Sequence, residues 1–196
     1  PLRKVLLTTL ALVLTDQILK FWIKTNMFLG QEFKIFDWFI IHFTENNGMA
    51  FGLEFGGDTG KILLSIFRVI VVIWGIYYVN ELTKKSLPNG VLVSLGLVIG
   101  GAIGNIIDGV FYGVFFNDSY NKIAEFLPSS GGYEGLLKGK VVDMFYFPLI
   151  NTQLPDWLPF FANNHFVFFR PVFNLADAGI SVGMILLILF YRKHFR

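Results

Sequence analysis

Four long apolar windows dominate the sequence, at about 5–23, 62–79, 91–112 and 172–191. Each approaches the roughly 20 residues that a helix needs to cross a bilayer. The pattern therefore predicts four transmembrane helices in a single integral membrane domain. The first window follows Arg3 and Lys4, as the apolar core of a signal peptide would. No small-x-small cleavage site follows it, and Asp16, Gln17 and Lys20 interrupt the run, so a retained span is expected.

Two long segments, about 24–61 and 113–171, separate the first span from the second and the third from the fourth. Lys34–Phe55 mixes β-branched and aromatic residues with polar ones and reaches Asn46-Asn47-Gly48, which predicts short strands around a turn. The second segment is broken by Pro128-Ser-Ser-Gly-Gly132. It continues through Phe145-Tyr-Phe-Pro, Trp157-Leu-Pro-Phe-Phe and Phe166–Phe169. Aromatic residues this dense beside spans favour the headgroup layer, so much of the segment is expected to lie on the membrane. The fold class expected is an all-α membrane protein with a small extracytoplasmic β-element and an aromatic-rich interfacial loop.

Composition agrees with this picture. Of 196 residues, 54% are hydrophobic and 15% charged, and 23 are Phe. Soluble domains carry about 25% charged residues. The absence of Cys excludes thiol catalysis, thiolate metal sites and disulfides. A net charge of +2 is too small to suggest a nucleic-acid partner. Its distribution is more telling. The short segments flanking the spans hold seven bases against Glu81, a net +6, whereas the two long segments hold seven bases against ten acids, a net −3. The positive-inside rule then places both termini in the cytoplasm and both long segments outside. The remaining charges, Asp16, Lys20, Arg68, Asp108 and Asp177, fall inside the spans.

Ionisable groups in a bilayer are costly and mark candidate functional sites. At 1.5 Å per residue, Asp16 sits about 18 Å above the cytoplasmic edge and Arg68 about 20 Å. Asn105 and Asp108 sit about 24 and 28 Å up, and Asp177 and Asn174 about 22 and 27 Å. Four separate spans thus carry their polar groups to one level in the outer half of the membrane. Asn105-Ile-Ile-Asp108 and Asn174-Leu-Ala-Asp177 each put an amide and a carboxyl on one helix face. Gly96, Gly100 and Gly104 on the third span, with Gly179 and Gly183 on the fourth, predict close packing of these two helices and facing carboxyls. Asp143, in Lys140-Val-Val-Asp143-Met-Phe, is expected at the same layer.

Two carboxyls at close range cannot both ionise, so they share a proton. One then serves as base towards water and the other as acid towards a carbonyl, which needs neither metal nor cofactor. HExxH is absent, and the G-x-S-x-G spacing at Gly179-Ile-Ser181-Val-Gly183 falls inside an apolar window, not at the strand-to-helix elbow that a serine nucleophile needs. Asp16 and Lys20, an i, i+4 pair, are equally explained as a structural ion pair. Arg68 suits a countercharge or a snorkelling residue. The residues alone leave open an intramembrane hydrolase and a transporter or channel with an outer-leaflet carboxylate cluster. A hard-cation site built from Asp108, Asp143, Asp177 and the two Asn is a third arrangement that oxygen ligands permit.

Taken in order, Asp16-Gln17-x-x-Lys20, Asn46-x-Gly48-x-Ala50-Phe51-Gly52, Gly100-Gly-Ala-Ile-Gly-Asn105-x-x-Asp108, Val141-Val-Asp143 and Phe173-Asn174-x-Ala176-Asp177 resemble the bacterial lipoprotein signal peptidases. The resemblance spans the whole chain. It implies an aspartic endopeptidase of the bacterial cytoplasmic membrane that cuts prolipoproteins just before their diacylglyceryl-modified cysteine. It implies Asp143 and Asp177 as the catalytic pair, with Asp16, Asn46, Asn105, Asp108 and Asn174 shaping the site or contacting substrate. It also implies lipid-modified prolipoproteins and membrane lipid as partners, globomycin-type cyclic peptides as inhibitors, and no metal or other cofactor. Two features depart from the family pattern. Gly109 stands where many members have Arg, and the stretches either side of Asp143 are longer than in compact members. The added residues are expected to form an interfacial flap or rim.

Overall fold

The computed structural model describes residues 1–47, 57–153, 155–156 and 165–192. In chain order the elements are α1 (Leu2–Asn26), β1 (Glu32–Phe36), β2 (Phe39–Asn46), α2 (Gly57–Leu82) and α3 (Asn89–Ile107). A π-helical turn, Asp108–Tyr112, and a last short turn, α4 (Gly113–Phe115), extend α3. Then come β3 (Val141–Tyr146), β4 (Ile150–Gln153), β5 (His165–Phe168), β6 (Val172–Phe173) and α5 (Leu175–Phe190). Gly48, Ala50, Phe51 and Gly52 of the second motif, and the Trp157-Leu-Pro-Phe-Phe stretch, lie outside the described residues.

Each of the four apolar windows holds a helix, and among the described residues three helices are long and apolar enough to cross a membrane: Leu2–Asn26, Gly57–Leu82 and Asn89–Phe115. The fourth, α5, has 16 residues, about 24 Å of helix. Its window begins too early, because Val172 and Phe173 pair with Tyr146 and Phe145 as a strand before Asn174 caps the helix. Strand and helix are equally apolar here, so hydropathy does not divide them. The outward faces carry large apolar residues, among them Leu10, Leu14 and Ile18 on α1 and Leu63, Phe67 and Trp74 on α2. The polar groups of the spans turn inward: Asp16, Lys20 and Asp108 are fully buried. That inversion is what a lipid environment selects, and the chain is a multi-pass membrane protein.

Glycines bring the helices together, on a different pattern from the one expected. Gly96 and Gly100 face α1, where an added Cβ would lie 2.7 Å from Thr8 Cβ and 3.1 Å from the Thr9 carbonyl oxygen. Gly101, one step off that stripe, meets α5, and its Cβ would lie 2.3 Å from the carbonyl oxygen of Ala176. Thus α3 packs on α1 and α5 along two adjacent faces. Val5, Val79, Leu82, Val91, Leu92 and Leu95 form one core cluster at one end of the helices.

At the other end lies an antiparallel sheet in the order β1-β2-β3-β6. The β1–β2 hairpin turn falls at Asp37–Trp38, and β2 continues to Asn46; the rest of the expected turn at Asn46-Asn47-Gly48 runs outside the described residues. Phe43, Val142 and Met144 pack on Ile23, Met27, Tyr112, Phe116 and Ala124 in the second core cluster. The longer stretch before β3 folds over the end of α1. Phe116 pairs with Phe126, and the Tyr133 N–H returns to the Phe116 carbonyl at 2.8 Å. In the longer stretch after β3, β4 and β5 pair antiparallel. Rings of Phe36, Trp38, Phe39, Phe147, Phe173 and Phe169 contact in sequence across the sheet, with centroids 4.9–6.1 Å apart.

Candidate active site

All seven residues singled out from the sequence fall at the sheet end of the helices, and they form one connected polar network. Asp143 lies in the middle of β3 and is buried. Its register is set from β2, where Thr44 opposes Asp143 and Asn46 opposes Val141. Alternation then puts Asn46 and Asp143 on one face of the sheet. Asn46 Nδ2 donates to Asp143 Oδ2 at 2.5 Å. Asn174 Nδ2 donates to the other oxygen at 2.7 Å.

Asp177 stands in the first turn of α5, and Asn174 is the N-cap. The Asn174 side chain accepts the Asp177 N–H at 2.8 Å, and the Asp177 carboxylate faces the Asn174 N–H in return. This capping box fixes the Asp177 rotamer at a helix N-terminus, where a negative charge is favoured. Asn105 of α3 donates to Asp177 Oδ1 at 2.7 Å and accepts from Asn174 Nδ2 at 3.1 Å. Asp143 and Asp177 are thus joined through two amides, Asn174 and Asn105.

Behind them sits Lys20. Its ammonium lies 2.9 Å from Asp16 Oδ2 and 2.8 Å from Asp108 Oδ2, and donates to Asn105 Oδ1 at 3.0 Å. Both carboxylates also grip backbone next to the two aspartates. Asp16 Oδ1 accepts the Ala176 N–H at 2.9 Å, and Asp108 Oδ2 accepts the Val142 N–H at 3.2 Å. Gln17 donates to Asp108 Oδ1 at 2.9 Å and to the Gly104 carbonyl at 3.1 Å, and accepts from the Tyr112 hydroxyl at 3.1 Å. A Cβ at Gly104 would come within 2.7 Å of the Asp16 carboxylate, so glycine is what allows this polar layer between α1 and α3. Among the described residues, no buried side-chain polar atom lacks a partner. A satisfied network of this kind is rigid, whereas a partly satisfied one would be destabilising.

Two sequence expectations change. Asp108 does not face Asp177 across the α3–α5 contact; Lys20 draws it to α1. The oxygen cage for a hard cation is not assembled either, since no group of three or more His, Asp or Glu among the described residues is placed to hold a metal ion. Two residues absent from the sequence-derived site, Lys20 and Gln17, prove central to it. Their signal was the i, i+4 pairing of a lysine with Asp16 inside an otherwise apolar span.

Burial, reinforced by the nearby Asp177 charge, pushes the Asp143 carboxyl up to about 7, well above its ordinary 3.8. The bonds from Asn174 and Asn46 and the charge of Lys20 act in the opposite direction. Beside Asn105 a small crevice opens between α2 and the π-helical turn, lined by Ser65, Arg68, Ile106, Gly109 and Val110. A Cβ at Gly109 would stand 4.0 Å from Ser65 Oγ, so the crevice has room for one. Arg68 lies within electrostatic reach of Asp177.

A family profile described as Signal peptidase (SPase) II matches residues 8–192. The chain belongs to the signal peptidase II family. The lipoprotein signal peptidase of Porphyromonas gingivalis is 50% identical to it over 195 residues, covering 98% of this chain and 85% of that protein. The lipoprotein signal peptidase of Amoebophilus asiaticus is 40% identical over 181 residues, covering 90% and 72%. Two solved bacterial membrane enzymes share the fold. One has a TM-score of 0.59 at 25% identity, covering 94% of this chain and 90% of that one. The other has a TM-score of 0.58 at 23% identity, covering 96% and 87%. Signal peptidase II membership sets aside the transporter or channel reading of the same carboxylates.

Proposed function

We propose that this chain is an aspartic endopeptidase that removes the signal peptide from diacylglyceryl-modified prolipoproteins, cutting just before the lipidated cysteine. Asp143 and Asp177 are the acid–base pair. The observation that carries this reading is the link between them: a buried carboxyl on a strand and a half-buried one at a helix N-terminus share the Asn174–Asn105 amide pair. Such a pair titrates as a unit. With its carboxyl pushed up to about 7, Asp143 holds a proton up to near neutrality. The ionised member takes a proton from water as that water attacks the scissile carbonyl carbon. The protonated member donates to the carbonyl oxygen, giving a neutral gem-diol. As the C–N bond breaks, the protonated member gives its proton to the amide nitrogen while the ionised one takes a proton from a gem-diol hydroxyl, so the carboxylic acid and amine leave and the pair again holds one proton. Asn46, Asn105 and Asn174 hold the carboxyls in place, and Asp16 and Asp108 hold the backbone beside them.

The site's depth suits this substrate. A signal peptide is itself an apolar helix, and its lipidated cysteine holds the cleavage point at the outer surface of the cytoplasmic membrane. In this reading both termini are cytoplasmic, the sheet is extracytoplasmic, and the aromatic rings across it lie in the headgroup layer. Substrate enters sideways from lipid and water from outside. Globomycin-type cyclic peptides would bind by occupying the same pair.

Asp143→Asn and Asp177→Asn test the assignment. Each is expected to lower the cleavage rate of a diacylglyceryl lipopeptide by about 10²–10⁴-fold with the fold retained. Wild-type rates in both variants would overturn it.

A further inference from the structure

Lys24 is a second fully buried lysine, outside the network around Lys20. It lies in the last turn of α1, with 0% of its surface exposed. Its ammonium lies 2.6 Å from Glu45 Oε1 and donates to Ser119 Oγ at 2.8 Å. The rings of Phe43, Phe116 and Tyr133 surround it, with centroids 5.8, 5.4 and 5.1 Å away. Its carbonyl oxygen accepts the Ala124 N–H at 3.2 Å. Lys140 stands 3.6 Å from the other Glu45 oxygen, and Asp118 adds a further negative charge nearby.

Desolvating an ammonium costs several kcal/mol, and an apolar side chain would fill this space with less penalty. What an apolar side chain would not do is grip Glu45. That residue immediately precedes Asn46 and opposes Val142 in the β2–β3 ladder. Because strand side chains alternate, Phe43 and Glu45 point to the face that packs with Val142 and Met144, and Asn46 points to the face of Asp143. A slip of one residue would reverse both faces and remove Asn46 from the site. The backbone hydrogen bonds of a ladder do not by themselves forbid that slip, whereas a buried ion pair specific to one side chain does.

We propose that Lys24 is a positioning residue: its pair with Glu45 fixes β2 from behind, in the register that delivers the Asn46 amide to the Asp143 carboxylate. The same contact docks the folded stretch 116–133 against the end of α1. This rests on the reading of Asp143 as one of the acid–base pair. The groups that face Asp143 are Asp177 of α5, Lys20 of α1 and the amides of Asn46 and Asn174. The Asn46 amide favours the ionised form of Asp143, so losing it raises the pH at which the pair gives up its last proton.

The test is the pH dependence of kcat for cleavage of a diacylglyceryl lipopeptide by the full-length protein in detergent. Lys24→Met, Glu45→Gln and Asn46→Ala are each expected to move the basic limb to higher pH and to lower kcat about 10–100-fold, as small misplacements do. KM should change far less. Glu45→Gln is the discriminating variant, because removal of a negative charge acting only through space would move the limb down. Adding Lys24→Met to Asn46→Ala should produce no further shift. An unmoved limb in the folded Lys24→Met and Glu45→Gln variants, or a shift that adds to that of Asn46→Ala, would overturn the proposal. Should Lys24→Met fail to fold, Glu45→Gln alone decides by the direction of its shift. Activity in Asp143→Asn would instead overturn the acid–base reading, whatever Lys24 does.

Discussion

Asp108 accepts the backbone N–H of Val142 at 3.2 Å, and so grips the strand one residue before Asp143. Asp16 does the same for Ala176, one residue before Asp177. Lys20 joins the two grips by pairing with both carboxylates. One buried cation thereby sets the separation of β3 and α5 through their backbones, without touching either proposed catalytic side chain itself.

Lys20→Met should therefore be severe. It leaves two buried carboxylates without their cation, and breaking a buried pair costs about 3–5 kcal/mol. Thermal unfolding in detergent should show a large loss of stability. Lys20→Met in an Asp16→Asn, Asp108→Asn background should recover much of it, because no charge is then stranded.

Asn105 sits at the junction of the two networks, donating to Asp177 and accepting from Asn174 and Lys20. Asn105→Ala is expected to lower kcat about 10–100-fold with KM nearly unchanged, because it loosens the pair and not the path of substrate. Steady-state kinetics on a lipopeptide separate the two parameters.

The raised value of Asp143 is also a stability statement. Its carboxyl titrates near 3.8 when unfolded and near 7 when folded, so the folded state holds the proton more tightly. The resulting penalty is absent below pH 3.8, grows as pH rises through the interval, and is complete above 7. Asp143→Asn, which cannot ionise, should match the wild-type melting temperature near pH 4. It should exceed it by a widening margin up to pH 7 while remaining inactive. A constant margin across that range would exclude ionisation of Asp143 as the cause.

Close packing of α3 on α5 depends on Gly101. A Cβ there meets the Ala176 carbonyl oxygen at 2.3 Å, a backbone atom that moves only with the helix carrying Asp177. Gly101→Ala is expected to cost about 1–3 kcal/mol of stability. Gly135→Ala, where a Cβ meets nothing within 4 Å, should be silent in the same thermal assay.

Much of this was legible before the fold. Asp16, Asn105, Asp108, Asn174 and Asp177 stood out because charge and amide groups are rare in apolar windows and their depth follows from helical rise alone. Asp143, flanked by apolar residues, was placed at the same layer. The strand pairing of Asn46 with Asp143 was less legible. The hairpin turn lies at Asp37–Trp38, and nothing near Asn46 states which distant strand it will meet. The start of the fourth helix was misplaced for a related reason. Val172 and Phe173 suit a strand as well as a span, and their pairing with Phe145 and Tyr146 decides between them.

The sequence by itself determined which residues form the polar layer and at what height, because burial in lipid filters residue types locally and a helix converts residue number into depth. Tertiary structure alone decided who partners whom within that layer. Asp108 turns to Lys20 and not to Asp177, Lys24 reaches Glu45, and Gly101 rather than the Gly96–Gly100 stripe receives α5. Those outcomes depend on helix rotation and strand register. Both are set by steric fit between segments as many as 160 residues apart, as in the bond from Ala176 to Asp16, and no local pattern carries that information.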